Sequence, residues 1–493
     1  MRCKSAALVA AGTAALFFTT GQVQGAPSRF CLIAAERPAD DPARKHGLPL
    51  GNRTFQIPGL GGLVLEARLG PGAWFIGADR RVVPYTAPFP RTYLDKWVLE
   101  GWSSRVVAAP WGRGLVAMKP GSGVFETIVD PSLGLNWRVY ALPRSRTTIA
   151  VSGKDGTAFI INDDNSLTPW LPDEVQKQIG GAFSVHDSSL LDATIIIARE
   201  QQRNSYTGGG LYVLNADRSL RRIGSLGEDY GELYDVPAAD AAVFIAQNAV
   251  YAIRRSGGAL SAQMLFAISQ PRERPAIHFA RQFGQVLSFR TQNGFSNDRV
   301  WQRLGPNGFE AIPGAPADNA RPDMFLTGRT HDLPILGYTL IEGADAFYAY
   351  DGNSIRRIDG SDRAIVGEIP RIFALSAIGR VLVTAANGLF ELTRDGVLVP
   401  RPLLAALDPQ RPTLVDWPKA SVALLSTKDG IVALDGNLNA TPVTGGERVR
   451  LDWFASLGTI EATGEPLVTD RHKLFVAADR NGAGRDVCPP AQL

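Results

Sequence analysis

Short apolar runs of about four to six residues recur along the chain from Phe55 onward, and turn-forming residues separate each run from the next. In many runs apolar and polar positions alternate, which is the period of a β-strand and not that of an amphipathic helix. The one helical pattern lies at residues 172–179, where Asp173 and Glu174 fall in the first turn. We therefore predict an all-β protein with one short helix.

The apolar runs are grouped into units of four. The clearest unit has runs at residues 372–375, 380–384, 388–392 and 397–399. An Asn-Gly pair comes between the second and third runs, and an Asp-Gly pair precedes the fourth. Because these residues accept the positive φ of tight hairpin loops, each unit is predicted to be an antiparallel four-stranded meander.

Similar units recur about every 40 to 50 residues, which is the period of propeller blades. A sheet of this size cannot bury both faces alone, and radial stacking of such sheets leaves only short edges exposed. We count about nine units after Arg105, some of them short, and a further strand group at residues 59–85. The predicted fold is a single β-propeller over residues 55–493, with about eight four-stranded blades and seven as the alternative.

Closure of the ring is predicted to involve both ends of the chain. The last unit, residues 467–478, lacks an outer strand, and residues 61–69 are expected to supply it. Residues 26–54, which include a stretch rich in Pro, Asp and Arg, are predicted to form an extended arm.

Three short phrases carry a resemblance to known repeats. They are Asn387-Gly-Leu-Phe-Glu-Leu, Gly210-Leu-Tyr-Val-Leu and Gly430-Ile-Val-Ala-Leu. They resemble the blades of bacterial periplasmic sensor propellers and, more loosely, those of WD-repeat and kelch proteins. The resemblance covers a few residues in each blade over most of the chain. It implies a fold and transfers no functional residue.

The N-terminus has the pattern of an export signal. Arg2 and Lys4 precede an apolar stretch at residues 6–18, and cleavage is expected before Ala26, so residues 1–25 are predicted to be removed. An uncleaved anchor is the alternative. No later apolar stretch approaches the length of a membrane span, and the mature chain is therefore predicted to have no transmembrane segment. The expected location is periplasmic or secreted, in a bacterium.

Two cysteines remain once the leader is removed. Cys31 lies near the new N-terminus and Cys488 near the C-terminus. An even pair in an oxidising compartment predicts a disulfide, which would contribute on the order of 4 to 5 kcal/mol in the chain-entropy model. Two unrelated buried thiols are the alternative.

Charge and composition exclude some partners. The chain is 45% hydrophobic and 20% charged, with a net charge of +3 over 493 residues. Such a balance fits a folded globular protein and provides no concentrated positive field, so no nucleic-acid partner is expected.

Aromatic residues with neighbouring carboxylates form the most suggestive chemical pattern, because the phrase Leu-Asp-Trp or Val-Asp-Trp recurs near the start of successive units. One hypothesis is that these residues line one mouth of the central channel and bind a sugar, a peptide or a cation. The alternative is that the rings pack between adjacent sheets. The candidate ligand-binding residues are Trp102, Trp137, Tyr234, Asp235, Asp416, Trp417, Asp452 and Trp453.

No motif for a catalytic nucleophile, a nucleotide loop or a zinc helix is present, so the sequence assigns no catalytic residue, metal ligand or cofactor. His186, His278 and His331 come from three different units and either converge on the channel or occupy separate polar positions. The predicted function is that of a binding or scaffold protein for an unknown protein or small ligand. The alternative is an exported hydrolase or lyase that acts on a glycan or lactone at the channel mouth.

Overall fold

A computed structural model describes the chain from residue 29 to residue 488, with gaps. The described residues are 29–35, 50–56, 61–67, 73–85, 97–99, 102–103, 105–109, 114–118, 125–129, 137–179, 182–199, 201–202, 205–206, 210–225, 232–246, 249–267, 276–291, 299–305, 307–314, 330–343, 346–362, 370–385, 388–402, 414–427, 429–446, 455–469, 473–478 and 488. The predicted leader, residues 1–25, lies outside them.

The described chain forms ten four-stranded antiparallel sheets, numbered here as blades 1 to 10. Blade 1 consists of β2 (Leu50–Gln56), β3 (Leu63–Ala67), β4 (Ala73–Ile76) and β5 (Val82–Tyr85). Blade 2 consists of β6 (Trp97–Leu99), β7 (Val106–Ala108), β8 (Leu115–Met118) and β9 (Phe125–Val129). Blade 3 consists of β10 (Trp137–Leu142), β11 (Thr147–Ser152), β12 (Ala158–Ile161) and β13 (Leu167–Pro169).

Blade 4 consists of β14 (Ala182–Ser188), β15 (Ala193–Arg199), β18 (Gly210–Leu214) and β19 (Leu220–Ser225). Blade 5 consists of β20 (Glu232–Val236), β21 (Ala241–Ile245), β22 (Ala249–Ser256) and β23 (Ala259–Ala267). Blade 6 consists of β24 (Ala276–Ala280), β25 (Gln285–Thr291), β26 (Arg299–Gly305) and β27 (Gly308–Ala311). A small hairpin of β16 (Gln201–Gln202) and β17 (Ser205–Tyr206) is inserted in blade 4.

Blade 7 consists of β28 (Thr330–Leu333), β29 (Tyr338–Glu342), β30 (Phe347–Tyr350) and β31 (Ile355–Arg357). Blade 8 consists of β32 (Arg371–Leu375), β33 (Arg380–Ala385), β34 (Gly388–Leu392) and β35 (Leu398–Pro400). Blade 9 consists of β36 (Leu414–Trp417), β37 (Val422–Thr427), β38 (Gly430–Leu434) and β39 (Ala440–Pro442). Blade 10 consists of β40 (Ala455–Ile460), β41 (Glu465–Thr469), β42 (Lys473–Ala478) and β1 (Arg29–Ala35).

The number of blades differs from the prediction of eight, or alternatively seven. The structure has ten, because the short units in the sequence are complete blades. In blade 2 the strands have only three to five residues, yet Val107, Leu115 and Ala117 pack against Trp137 of blade 3. Short strands are sufficient because packing between sheets, more than strand length, buries their apolar side chains.

The first strand of each blade is at the centre of the ring. First strands of consecutive blades contact one another, as β6 does β10, β10 does β14, β24 does β28 and β32 does β36. The apolar core is divided into clusters that fill the junctions between consecutive blades. Within the described residues, such a cluster is found at every junction except that between blades 1 and 2.

The helix predicted at residues 172–179 is confirmed as α1 (Asp173–Ile179), which connects blades 3 and 4. Asp173 and Glu174 lie in its first turn, where carboxylates interact favourably with the helix dipole. Ile179 at its end joins the apolar cluster between the two blades. In the part of the chain that is described, no helix combines the length and the apolar character needed to span a bilayer.

Strand β1 closes the ring as the outer strand of blade 10, where it pairs antiparallel with β42. Its side chains alternate between two junctions, as the period of a β-strand requires. Cys31 and Ile33 join the cluster shared with blade 1, while Phe30 and Leu32 join the cluster shared with blade 9. One strand from the N-terminus therefore packs against blades formed from both ends of the chain.

The prediction that residues 61–69 supply this outer strand was wrong. Within that segment, Leu63–Ala67 is β3, which pairs with β2 on one side and β4 on the other. A strand with both edges paired cannot extend another sheet. Residues 30–33 are all apolar, which is the pattern of a strand buried on both faces.

The predicted disulfide is present. It joins Cys31 in β1 to Cys488, and the two Cα atoms are 5.3 Å apart although 457 positions separate the residues in sequence. Cys31 belongs to the cluster between blades 10 and 1, and the partly buried Cys488 packs against that cluster. Disulfides persist in oxidising compartments, so this bond indicates an extracytoplasmic location.

Replacing Cys31 and Cys488 together by Ser should lower the free energy of unfolding by about 2 to 5 kcal/mol, because the unfolded chain regains the freedom that the cross-link removes. Thermal denaturation followed by circular dichroism would measure the change. Reductant should lower the melting temperature of the wild type to that of the double variant and leave the variant unchanged. Equal melting temperatures for the oxidised wild type and the variant would contradict a stabilising role.

Candidate functional site

Asp416, a candidate ligand-binding residue, contacts the preceding blade. It is the penultimate residue of β36, the first strand of blade 9. Its carboxylate accepts hydrogen bonds from the backbone N–H of Ser376 at 2.9 Å and from that of Ala377 at 3.0 Å, and a third from the Ser376 hydroxyl. These donors belong to the turn between β32 and β33 of blade 8. The carboxylate therefore joins two blades.

Asp235 has the same position in β20 of blade 5 and also contacts the preceding blade. It accepts a hydrogen bond from Ser188 Oγ at 2.7 Å, and its Oδ1 lies 3.2 Å from Nε2 of His186. Partial burial acts to raise the pKa of Asp235, but the hydrogen bonds from His186 and Ser188 and the charge on the imidazole together hold that pKa below its ordinary value. The carboxylate is therefore stabilised in its ionised form.

Two further aspartates, which were not among the candidates, repeat this arrangement at the penultimate position of a first strand. Asp187 of β14 accepts a hydrogen bond from the backbone N–H of Arg144 at 2.9 Å, and Asp332 of β28 accepts one from that of Arg281 at 3.0 Å. Each donor lies in the preceding blade. The sequence signal for these residues was an acidic residue directly before the end of the first strand.

The candidate tryptophans occupy separate places. Trp137 is 7% exposed and packs against Phe159 at the junction of blades 2 and 3, whereas Trp417 is 1% exposed and lies at the junction of blades 9 and 10. Trp102, between β6 and β7, is half-buried. Trp137 and Trp417 thus make the contacts expected if the rings pack between adjacent sheets. A rim of ligand-binding aromatic residues at the channel mouth stays a prediction.

The remaining candidates are Tyr234 and the pair Asp452 and Trp453. Tyr234 precedes Asp235 in β20, and its ring lies 5.1 Å from that of Phe279 in the following blade. Asp452 and Trp453 lie outside the described residues.

His186, His278 and His331 occupy the same register position, the third residue from the end of the first strand in blades 4, 6 and 7. Their surroundings differ. His331 Nε2 lies 2.7 Å from Oε1 of Glu342, whereas the half-buried His278 packs against Trp301, and its buried Nε2 atom has no hydrogen-bond partner. Among the described residues, no group of three or more His, Cys, Asp or Glu side chains is placed to hold a metal ion.

A groove of about 700 Å³ crosses blades 3, 4 and 5. It lies on the face that carries the turn from the first to the second strand and the turn from the third to the fourth. We call it the arginine groove and define it by Arg144, Trp170, Arg218, Arg221, Arg255 and Leu260. None of these residues was a candidate, because their spacing in sequence shows no motif and only the stacking of three blades brings them together.

The walls of the arginine groove are fixed by contacts between blades. Arg144 of blade 3 donates a hydrogen bond from Nε to Asp192 of blade 4 at 3.0 Å, and its Nη1 lies 3.5 Å from the buried carboxylate of Asp187. Arg221 of blade 4 donates to the carbonyl oxygen of Leu260 in blade 5 at 3.1 Å. The groove is therefore already formed by the fold before any ligand binds.

The sheet topology defines the chain as a β-propeller, as the resemblance of its repeat phrases implied. No protein-family model matches it, and no curated protein matches it either. Solved structures do match. One is the extracellular domain of a protein described as a hybrid two-component system from B. thetaiotaomicron, with 9% identity, a TM-score of 0.33 and coverage of 90% of this chain and 64% of that domain.

Two further matches are to a eukaryotic initiation factor and to an inactive virginiamycin B lyase from Staphylococcus aureus with quinupristin. The first has 7% identity, a TM-score of 0.43 and coverage of 76% of this chain and 94% of that one. The second has 13% identity, a TM-score of 0.32 and coverage of 66% and 98%. The fold assignment rests on the sheet topology, and the site on its own residues.

Replacing Asp416 by Ala should lower the free energy of unfolding by about 1 to 3 kcal/mol, because two backbone N–H groups and a hydroxyl lose a charged acceptor. Chemical denaturation would measure it. Asp163→Ala, in an exposed turn, is the matched control and should stay within about 0.5 kcal/mol of the wild type. An Asp416→Ala protein as stable as this control would argue against a role in joining the blades.

The stability of the protein should depend on pH through His278. Burial lowers the pKa of His278 from 6.5 to about 4. As the pH falls from 6.5 to 4, the unfolded chain binds a proton that the folded protein does not, so stability present in full above pH 6.5 is progressively lost. The loss is about 3 kcal/mol. Melting curves across this range should fall more steeply for the wild type than for His278→Phe, and parallel curves would contradict the assignment.

Proposed function

We propose that this protein is an exported binding protein, periplasmic or secreted, that holds its ligand or partner in the arginine groove. The observation that carries the proposal is the groove itself. Its volume of about 700 Å³ falls within the range of small-molecule and cofactor sites. It is lined by apolar side chains such as Trp170 and Leu260 together with several charged ones, the usual mixture in a site that combines affinity with orientation.

The rigidity of the groove supports a binding role. Its lining residues come from three blades whose relative positions are held by apolar clusters at both junctions. The contacts of Arg144 and Arg221 across those junctions fix charged groups before a ligand arrives. A preformed site loses little conformational entropy on binding, so more of the interaction energy appears as affinity.

Two observations support export. The disulfide between Cys31 and Cys488 requires an oxidising compartment to persist. The sequence of residues 1–25 has the charged start and apolar centre of a cleavable leader. Together they favour a protein that acts outside the cytoplasm on a ligand or partner found there.

The test is to block the groove and screen for ligands that depend on it. Ala259 begins β23 and lines the groove with an exposed side chain, so Ala259→Trp should fill part of it without disturbing the core. Met264 lies on the same strand, is 55% exposed and is outside the groove, and Met264→Trp is the matched control.

A thermal-shift screen of the mature protein against sugars, peptides, peptidoglycan fragments and divalent metals should yield a ligand that stabilises the wild type and Met264→Trp but not Ala259→Trp. Mass spectrometry should recover that ligand unchanged. A ligand whose effect survives in Ala259→Trp would place binding elsewhere. Conversion of the ligand to product would replace the binding role by the hydrolase or lyase alternative.

A further inference from the structure

The charge of the arginine groove is one-sided. Arg144, Arg218, Arg221 and Arg255 line it, and Asp192 is the acidic residue among them. Asp192 is paired with Arg144. Among the ion pairs of the described residues, the other three arginines have no carboxylate partner. The groove therefore carries about three uncompensated positive charges.

These three arginines are held in place by carbonyl oxygens and not by acids. Arg218 Nη1 donates to the carbonyl oxygen of Trp170 at 3.3 Å, which links blade 4 to the connection from blade 3. Arg255 of blade 5 donates to the carbonyl oxygens of Leu191 and Gly258. A guanidinium has five N–H donors in a fixed plane, and the carbonyls use one or two of them. Donors therefore remain for an oxyanion.

A purely structural role explains the positive charges poorly. A neutral amide side chain could donate one or two hydrogen bonds to carbonyl oxygens, whereas three guanidinium groups around one groove repel each other. An anionic ligand would remove this repulsion and would accept the remaining N–H donors in pairs, as carboxylates do from arginine.

The extent of the groove indicates an elongated anion. Packed sheets lie about 10 Å apart, so a line across three blades is about 20 Å long, the length of about six residues of extended peptide. Besides the arginines, the groove is lined by apolar side chains, which include Ile160, Val213 and Leu260, and by polar ones such as Thr147 and Asn215. Alternating side chains of an extended segment would place acidic groups toward the arginines and the rest of the segment along these apolar and polar side chains.

We propose that the arginine groove binds an extended acidic peptide segment of a protein partner. The proposal rests on the proposed function and specifies its ligand class. The arginines of blades 4 and 5 supply the charge, and the carbonyl oxygens of Trp170, Leu191 and Leu260 hold them in position.

The test uses a fluorescein-labelled six-residue peptide that alternates Glu and Gly, with the same peptide carrying Gln as the neutral control. Fluorescence anisotropy with the disulfide-bonded mature protein should show saturable binding of the Glu peptide and none of the Gln peptide. Binding should weaken as salt is added, because screening reduces the attraction between exposed charges.

Single variants Arg218→Gln, Arg221→Gln and Arg255→Gln should each weaken binding about two- to fivefold, as expected for partly exposed ion pairs. The triple variant should lose more than any single variant. Arg222→Gln is the matched control, because Arg222 neighbours Arg221 but lies outside the groove and contacts Gly224 of its own blade. Melting curves would show whether each variant is folded, and if the triple variant is not, the single variants decide.

Absence of saturable binding would overturn the proposal, and so would an equal loss in Arg222→Gln, which would indicate a diffuse positive field. Competition by citrate at the same concentration as the peptide would replace the peptide by a small acid. A neutral ligand that Ala259→Trp excludes would also overturn the acidic peptide while retaining the proposed function. If no ligand at all depended on Ala259, the proposed function itself would fail.

Discussion

The constraint on which this structure depends is that each four-stranded sheet has two apolar faces and can bury them only against other sheets. A blade such as blade 2, with strands of three to five residues, is too small to be stable by itself. Stacking around a ring satisfies every blade at once, provided that the ring closes. Closure depends on β1, whose alternate side chains fill one junction on each side of blade 10. The disulfide then joins that strand covalently to the C-terminal end.

Ring closure by apolar packing leaves the relative height and angle of neighbouring blades weakly specified, because the hydrophobic effect has no direction. The aspartates at the ends of first strands supply direction. Asp187, Asp235, Asp332 and Asp416 each accept hydrogen bonds from the blade before them, in most cases from backbone N–H groups. A hydrogen bond from a backbone N–H group to a charged carboxylate is short and directional. They occur on one face of the ring, which is also the face of the arginine groove.

This arrangement explains how a binding surface can form without a motif. The turns that receive the aspartates also carry groove residues, Arg144 in blade 3 and Asp192 in blade 4. The contacts that align the blades therefore also position the groove residues. The groove forms from residues of three blades, and no single blade contains a binding motif. Fold and site are coupled through the blade junctions, so a binding site on this protein is a property of neighbouring blades together.

The local features could be predicted from the sequence, because they depend on residues close together in the chain. Asn-Gly and Asp-Gly pairs specify hairpins, the acidic start at Asp173 marks the helix, and two cysteines at the chain ends indicate the disulfide. The number of blades was underestimated, because a short unit in the sequence does not show by itself that it forms a complete blade, and packing against the neighbouring blade is what makes it one. The hydrogen-bond partners of Asp235 and Asp416 could not be predicted, and nor could the convergence of Arg144 and Arg255 on one groove. These contacts form between blades, and the sequence of one strand does not show which residues of the next blade lie against it.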